Sequence, residues 1–292
     1  MEKTRTAAAL GLFDGVHLGH RAVLKAAEEQ AANGLMPCVF TFSSLFAEKK
    51  GGAGYIYGDE EKSFLLTEDC GMERVFSHSF GDICGLDGES FAGDILCGEM
   101  NAAFVCCGND FRFGRGASCG IAELRSFGER FGFAVQTVED VYCGGRRVSS
   151  TEIRSMLSEG DIESANAFLG EPYTIMKKVS RGAQLGRSIG FPTANQVFGE
   201  GQLVPRYGVY ASKARINGKW YPSVTDIGRK PTVDYGGAPL AETYIHGFSG
   251  DLYGITLQVE LLRFLRPETK FASVEELRRQ IAADAETALN IL

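Results

Sequence analysis

The first half of the chain alternates short apolar runs with stretches of helix-forming residues. The run TAAALGLF is followed by HLGHRAVLKAAEEQAAN, which ends at Gly34, and then by PCVFTF. Strand, helix and strand in this order make a βαβ unit, and such a unit places its two strands side by side and parallel in one sheet. Two more predicted strands, AAFVCCG and FAVQTVEDV, flank the predicted helix IAELRSFGERFG. We therefore predict an α/β domain, a parallel sheet with flanking helices.

The second half has a different composition and a different pattern. All eight cysteines lie at or before Cys143, whereas seven of the eight prolines follow residue 171. We place the junction between about 155 and 175, with domains over 1–165 and 170–292. Short strands with Gly and Pro turns predict a small β-barrel there, including a hairpin at Asn217-Gly218. In ITLQVELLRF, we expect Ile255, Leu257, Val259 and Leu261 to lie on one face of a strand.

Two helix-capping signals complete the expected secondary structure. In SSTEIRSMLSEG, Ser149 or Ser150 is the expected N-cap and Gly160 follows the helix end. Near the C-terminus, Ser273 and Glu276 have the spacing of a capping box for a last helix.

Charge and cysteine usage limit the class of protein. The 292 residues carry a formal net charge of −7, which argues against a protein that coats nucleic acid or binds membranes through a basic patch. No run reaches the 18 or so apolar residues of a membrane span. The cysteines form no C-x-x-C pair and many lie in apolar runs, so we expect small core residues in a reducing, cytoplasmic compartment.

Two of the four histidines of the chain lie in GLFDGVHLGH, at the first strand-to-helix turn. Gly11 and Gly15 would let the backbone approach a ligand closely. His17 and His20 are three residues apart and share the first turn of the helix, where free N–H groups favour phosphate. Asp14 could cap the helix or contact the ligand. The histidines could also hold a metal, or form a purely structural pair.

This segment closely resembles the His-x-Gly-His nucleotidyltransferases, specifically the adenylyltransferase half of the bacterial bifunctional riboflavin kinase/FMN adenylyltransferases. Residues 11–20 match that family's Gly-x-Phe-Asp-Gly-x-His-x-Gly-His signature. GNDFRFGRG, from Gly108, matches its Gly-x-Asp-Phe-x-Phe-Gly segment. VSSTEIR, residues 148–154, matches its Ser-Ser-Thr-x-Ile-Arg motif.

The resemblance implies a Rossmann-like nucleotidyltransferase domain that needs no enzyme nucleophile, because the FMN phosphate itself attacks the α-phosphorus of ATP. His17, His20 and Arg154 would be catalytic, with Arg154 gripping the leaving phosphates. Arg154 could instead be a solvated surface residue, and Asp110 could merely start a turn. The implied nucleotide-binding residues of this half are Gly11, Phe13, Asp14, Gly15, Asp110, Ser150 and Thr151.

A second motif, RGAQLGRSIGFPTAN, runs from Arg181 to Asn195. Glycine-rich loops can wrap phosphates with backbone N–H groups. In a strand, the oxygens of Thr193 and Asn195 would share one face, and both are hard ligands suited to Mg²⁺. The loop residues that we expect to bind nucleotide are Gly182, Gly186, Arg187 and Gly190.

The second motif resembles the riboflavin kinase signature Gly-Phe-Pro-Thr-Ala-Asn. GVY, IGRKPTV, DLYG and LRPETKF follow in the family order, so the resemblance covers nearly the whole chain. It implies a six-stranded β-barrel with a C-terminal helix. Glu242 matches the family's catalytic glutamate, which would accept the proton of the terminal ribityl hydroxyl. From its own sequence context Glu242 could equally be an edge-strand residue in water.

One segment departs from the family pattern. After its second strand the family usually has Thr-Phe-x-Pro-His-Pro, and this chain has TFSSLFAEKKGGAGYIYG from Thr41. In the family this region helps to form the flavin side of the adenylyltransferase site. We therefore expect weaker FMN binding, with residues 45–57 mobile when flavin is absent.

The sequence thus predicts an enzyme of two activities that uses riboflavin, FMN, ATP and Mg²⁺, as a monomer or weak oligomer without nucleic-acid or membrane partners. One alternative is a riboflavin kinase whose first domain makes little FAD. Another is a non-catalytic regulator that binds flavin or nucleotide.

Overall fold

The computed structural model of the chain describes residues 4–43, 54–181, 190–229 and 237–291. Contacts divide the chain into two compact units, Met1–Ser150 and Thr151–Leu292. The predicted domains, 1–165 and 170–292, differ from this division by assigning residues 151–165 to the first domain.

The first unit contains a five-stranded parallel sheet in the order β3-β2-β1-β4-β5. Its strands are β1 (Thr6–Leu10), β2 (Met36–Phe42), β3 (Arg74–His78), β4 (Ala102–Gly108) and β5 (Ala134–Val138). The predicted α/β fold is therefore confirmed. The strand order reverses direction between β1 and β4, and ligands of such sheets bind outside the carboxyl ends of the strands at this reversal.

Helices connect these parallel strands. The first helix begins at Leu18 and continues as a 3₁₀ turn to Gly34, whose left-handed backbone ends it as predicted. Two of the later helices pass into π-helical turns, over Leu65–Asp69 and Phe91–Glu99. The helices of this unit are α1 (Leu18–Glu28), α2 (Asp59–Phe64), α3 (Phe80–Ile83), α4 (Gly88–Ser90) and α5 (Ile121–Phe131).

The core of the first unit is built around small residues in the central strand. Ala7, Ala8 and Ala9 of β1 have no exposed surface, which lets elements pack closely on both faces of the sheet. On one face lies a cluster that includes Phe40, Phe76, Phe91 and Phe113. Three cysteines share this sheet, and burial raises the pKa of the Cys38 thiol to about 11 and that of Cys107 to about 12. These thiols are small core residues, as the sequence predicts.

A short ribbon and a helix pair follow the first sheet. The ribbon pairs β6 (Tyr142–Cys143) with β7 (Arg146–Arg147). Helix α6 (Ser150–Glu159) starts one residue after Ser149 and ends at Gly160, which has a left-handed backbone. Helix α7 (Ile162–Leu169) packs on the second sheet, where the Asn166 side chain donates to the carbonyl of Leu261 and accepts from the Tyr173 amide.

The second unit, in its described part, contains a curled six-stranded antiparallel sheet in the order β8-β13-β10-β11-β12-β9. Its edge strands approach each other: the Ser180 amide donates to the Asn195 carbonyl, and the buried Gln196 amide donates to the carbonyls of Lys177 and Leu257. This is the barrel-like fold that we predict. Its strands are β8 (Tyr173–Lys178), β9 (Thr193–Val197), β10 (Gly208–Ile216), β11 (Lys219–Arg229), β12 (Pro239–Ile245) and β13 (Thr256–Arg266).

The predicted C-terminal helix, α8 (Val274–Leu289), covers one face of this sheet, with Ala285 and Ala288 against Val209 and Val224. The Ser273 hydroxyl accepts from the Glu276 amide as expected. The Glu276 carboxylate accepts from the Ala272 amide, one residue before the cap.

One sequence prediction for β13 is wrong. Leu257, Val259 and Leu261 share one face of the strand as expected and are buried, but Ile255 precedes the strand and is 43% exposed. The turn before the strand, rather than the alternation of residues within it, sets where Ile255 lies.

Candidate functional site

The turn after β1 carries unusual backbone conformations. Phe13 has φ 52°, Gly15 has φ 90° and Val16 has φ 41°. A β-branched residue with positive φ is an outlier, and such strain persists only where the surrounding structure enforces it. Phe13 and Val16 are both buried, and the Val16 amide donates to the Phe13 carbonyl. The glycines that the sequence singles out therefore belong to a turn held in a fixed, strained shape.

The two histidines of this turn stack on each other. Their ring centroids are 3.6 Å apart, and the rings are within 14° of parallel. His17 is the N-cap of α1, and its Nδ1 accepts the His20 amide at 3.3 Å. Because Nδ1 of His17 accepts, a neutral His17 carries its proton on Nε2, which is then a donor.

His20 is held in the neutral form. Burial lowers its pKa well below 6.5, and the positive charges of His17 and Lys62 lower it further. Its Nδ1 is buried and has no hydrogen-bond partner among the described residues. The ring of Phe13 meets His20 edge-on at 5.3 Å. An unpartnered imidazole nitrogen beside a helix start is a feature expected where a ligand completes the hydrogen bonding.

Asp14 ties the turn to two distant segments. Its Oδ1 accepts the Ile56 amide at 2.8 Å, and its carbonyl accepts the Ser150 hydroxyl at 2.8 Å. Asp14 is therefore not the helix cap, one of the two roles that the sequence left open, because His17 takes that position. The contacts bring the Gly11–His20 turn together with Ser150 of the third family motif.

Three more predicted residues of this site differ in how exposed they are. Asp110 is in the turn after β4, where the Phe111 amide donates to the Gly108 carbonyl. The Asp110 carboxylate is largely exposed and forms an ion pair with Arg147 at 3.1 Å. Thr151 is exposed, and Arg154 is half-buried one turn into α6. The roles of these residues stay predictions.

Part of the divergent segment is buried against the turn. Tyr55, Ile56 and Tyr57 are all nearly inaccessible, and the Ile56 amide is bound by Asp14. The expectation of mobility therefore does not fit these three residues. Most of the remainder, residues 45–53, lies outside the described residues.

A residue that sequence reasoning missed lies beside this site. Lys62 in α2 is 4% exposed, and its ammonium donates to the Phe42 carbonyl and to the Thr41 hydroxyl at 3.5 Å. The Thr41 hydroxyl in turn donates to the Leu12 carbonyl at 2.8 Å. Nothing in the pattern DEEKSF marks this lysine as buried.

The second unit aligns three oxygen-bearing side chains across neighbouring strands. Glu242 of β12 lies opposite Asn195 of β9 on one side and opposite Asp226 of β11 on the other. Side chains of directly opposed residues point to the same face, with Cβ atoms about 4.5–5.5 Å apart. Glu242 is half-buried, and β12 has a strand on each side. The alternative of an edge-strand glutamate in water is thereby excluded. Asp226 is the third residue of this row, although nothing in the sequence marks it as a candidate.

Asn195 offers an oxygen without a partner in this row. It is 5% exposed, and its Oδ1 has no hydrogen-bond partner among the described residues. An orphaned buried acceptor costs about 1–3 kcal/mol, so it is a position where a ligand or a cation would restore the lost interactions. Thr193, two residues before it in the same strand, shares its face. The donor set of amide and hydroxyl oxygens fits a hard cation such as Mg²⁺.

Most of the glycine-rich loop before β9 lies outside the residues that the structure describes. Gly182, Gly186 and Arg187 lie outside the described residues. Gly190 has φ 88° at the end of the loop, a conformation that favours glycine. The predicted role of the loop in nucleotide binding therefore stays a prediction.

The described part of the chain shows neither a cluster of metal-binding side chains nor a membrane-spanning helix. No three His, Cys, Asp or Glu side chains there are grouped as a metal site would require. Among the same residues, no helix is both long enough and apolar enough to cross a membrane.

Two family models match the chain, one in each half. The family model described as FAD synthetase matches residues 1–152, and the one described as riboflavin kinase matches residues 169–292. The bifunctional riboflavin kinase/FMN adenylyltransferase of Escherichia coli (strain K12) is 36% identical over 96% of this chain and 90% of its own length. The protein of that name from Bacillus subtilis (strain 168) is 34% identical over 99% and 93%.

One solved structure is similar to this chain over nearly the whole length of both proteins. A crystal structure described as a macrolide-efflux protein from Streptococcus pneumoniae has a TM-score of 0.83 at 28% identity, and the match covers 99% of this chain and 95% of that one. Both halves, in this order, match the same family of two-activity enzymes. The chain therefore belongs to the family of bifunctional riboflavin kinase/FMN adenylyltransferases.

Proposed function

We propose that this chain makes FAD in two ATP-dependent steps. In the first step the terminal ribityl hydroxyl of riboflavin attacks the γ-phosphorus of ATP, which gives FMN and ADP. In the second step an oxygen of the FMN phosphate attacks the α-phosphorus of ATP, which gives FAD and pyrophosphate. The supporting observation is that each unit contains its own polar site with a buried, unpartnered atom, at His20 and at Asn195.

In the adenylyltransferase step the protein acts through position and charge, because the attacking oxygen belongs to the substrate. Nε2 of His17 and the free N–H groups at the start of α1 would donate to the phosphorus-bound oxygens as negative charge builds on them. The stacked pair keeps both imidazoles in one orientation, so little reorganisation is needed during the reaction. Arg154, Ser150 and Thr151 would hold the leaving pyrophosphate, and Asp110 would lie near the transferred group.

In the kinase step Glu242 would orient the ribityl hydroxyl and accept its proton as the new P–O bond forms. Strand β12 is paired with a strand on each side, which fixes the backbone of this base. Thr193 and Asn195 would hold Mg²⁺, which when bound supplies positive charge for the ATP phosphates. The backbone of the Gly182–Gly190 loop, with Arg187, would bind the remaining phosphate oxygens.

We further propose that the enzyme works in the cytoplasm as a monomer or weak oligomer, without nucleic-acid or membrane partners. The eight cysteines are free thiols, which is typical of a reducing compartment, and the chain's negative charge disfavours nucleic-acid and anionic membrane partners. A second candidate, a riboflavin kinase that makes little FAD, is favoured by one observation, the rewritten TFSSLF segment next to the first site.

Incubation with riboflavin, ATP and Mg²⁺, followed by chromatographic separation of the flavins, tests these proposals. FAD and FMN together support the two-step enzyme, and FMN alone supports the second candidate. If neither is formed, the non-catalytic regulator is the better description. Omitting Mg²⁺ in a parallel reaction with chelator should abolish FMN formation if Thr193 and Asn195 hold that cation.

A further inference from the structure

The ammonium of Lys62 is a charge buried within the first site. Its Nζ lies between the Phe42 carbonyl and the Thr41 hydroxyl, at the carboxyl end of β2. Lysine is almost never fully buried unless it is paired. These two hydrogen bonds to uncharged oxygens satisfy N–H donors of the ammonium, but they do not compensate its positive charge.

The carboxylates around Lys62 compensate it poorly. Asp59, on the same helix, is 3.9 Å away and its side chain is 52% exposed, which makes it a weak, solvent-screened partner. Asp14 of the strained turn acts on Lys62 from a greater distance, while its Oδ1 accepts the Ile56 amide. From α1, His20 faces it as a neutral ring. The net result is that burial lowers the pKa of Lys62 despite both carboxylates.

The position of Lys62 separates it from the nucleotide side of the sheet. The strand-order reversal lies between β1 and β4, which is where a nucleotide is expected. Lys62 lies on the other side of β1, at the end of β2. It is nevertheless linked to the turn through Thr41 and Leu12. A second substrate that reacts with the nucleotide would therefore approach from the side of Lys62.

We propose that the Lys62 ammonium binds the phosphate monoester of the flavin substrate and so makes the first site select phosphorylated flavin. This inference rests on the proposed adenylyltransferase function and adds the recognition group for its second substrate. A phosphate dianion placed next to Lys62 would supply the negative charge that Asp59 and Asp14 do not. It would also lie near the His17–His20 pair, as attack on an ATP phosphorus requires.

The test is steady-state kinetics of FAD formation with FMN and ATP varied separately in Lys62→Gln, Lys62→Met and Lys62→Arg. Loss of one charged hydrogen bond corresponds to about a 10- to 100-fold rise in the KM for FMN, with the KM for ATP changed less than twofold. Lys62→Arg should restore most of the FMN affinity. Lys62→Met tests the alternative of a purely structural lysine, because replacing a buried charge with an apolar side chain often leaves stability unchanged or higher.

A pH profile provides a second readout. Because burial lowers the pKa of Lys62, kcat/KM for FMN in the unmodified enzyme should fall in the alkaline range, starting at a lower pH than the titration of an ordinary lysine would require. The Lys62→Arg enzyme should stay flat over that range, since arginine remains charged.

The outcomes separate the inference from the function on which it rests. If the unmodified enzyme makes no FAD, the proposed function fails. If it makes FAD and a folded Lys62→Met or Lys62→Gln enzyme keeps the original KM for FMN, the inference about Lys62 is wrong. A rise confined to the KM for ATP would also overturn it. Thermal unfolding of each variant establishes which of them are folded, and riboflavin kinase activity is the internal control.

Discussion

At the scale of single residues, the first site depends on an imidazole that serves as a helix cap. Nδ1 of His17 accepts the His20 amide, which fixes the His17 ring and brings the His20 ring against it. Both rings are therefore positioned by the start of α1 rather than by the ligand. Such preorganisation is what electrostatic stabilisation of a transition state requires.

The first residue-scale prediction concerns His20→Ala. Removing one preorganised imidazole of the stacked pair should lower the rate of FAD formation about 10²–10³-fold, or about 2.7–4 kcal/mol, the cost of losing one such polar group. The rate of FMN formation should hardly change, because other residues in the second unit carry that step. Both rates are measured on one preparation by flavin chromatography. An equal loss of both activities would indicate unfolding and would leave His20 without a demonstrated catalytic role.

The second residue-scale prediction concerns acid stability. The pKa of His20 lies well below 6.5 in the folded protein, so below pH 6.5 the unfolded chain binds a proton that the folded chain does not. The contribution of neutral His20 to the free energy of unfolding is therefore fully present above pH 6.5 and decreases as the pH falls below it. Thermal unfolding at pH 5.5 and 7.5 should show a smaller acid-induced loss for His20→Gln than for the unmodified protein. Equal losses would show that His20 is already protonated when folded.

The third residue-scale prediction concerns Glu242→Gln, which keeps the shape of the side chain and removes the base. The riboflavin kinase rate should fall about 10²–10⁴-fold, while flavin binding to the second unit is largely retained. FAD formation from supplied FMN is the control and should stay unchanged. An unaltered kinase rate would remove Glu242 from its proposed role.

The sequence singles out candidate site residues that carry a local signal and gives no sign of those that do not. His17, His20 and Asn195 stand in short motifs whose residue types and spacing already indicate phosphate or cation binding. Lys62 and Asp226 have no such context. Lys62 is buried because α2 packs at the end of β2, and Asp226 lies beside Glu242 because of the strand register. Both facts depend on residues far away in the chain.

At the scale of elements, the best-predicted features are those with a local cause. The Asn217-Gly218 hairpin forms as expected, with φ 49° and 79° at its two central residues. These left-handed conformations match the twist of a hairpin and are tolerated by Asn and Gly. By contrast, the pairing of β12 with β9 joins strands more than forty residues apart. No local pattern predicts that pairing, although it creates the Asn195–Glu242–Asp226 row.

The element-scale prediction uses this hairpin. Gly218→Ala places a Cβ on a left-handed residue and should destabilise the second unit by about 1–2 kcal/mol. Gly218→Asn is the matched control, because Asn tolerates that conformation better, and it should lose less. Urea unfolding monitored by the fluorescence of Trp220, in the adjacent strand, gives both values. Equal destabilisation by Ala and Asn would show that backbone strain is not the cause.

At the scale of the whole molecule, two activities share one chain but use separate sites. The motifs for phosphate contacts are intact in both halves, and only the TFSSLF segment of the first half is rewritten. Within the described residues, that segment ends in Tyr55–Tyr57, which are buried against the strained turn. Any loss of function should therefore affect the substrate contacted by this segment and spare the other.

The last prediction follows from that asymmetry. The family's two prolines and histidine are replaced here, and glycines stand at 51, 52 and 54. Glycine loses more conformational freedom than other residues when it is ordered, and ordering one residue costs about 1–2 kcal/mol, so the KM for FMN in the adenylyltransferase step should exceed the KM for riboflavin in the kinase step. The KM for ATP in FAD formation should not be raised in the same way, because the Gly11–His20 turn has its family residues and is hydrogen-bonded to Ser150. Varying FMN and ATP separately provides the measurement. A KM for FMN as low as that for riboflavin would show that other groups, Lys62 first among them, replace the missing prolines and histidine.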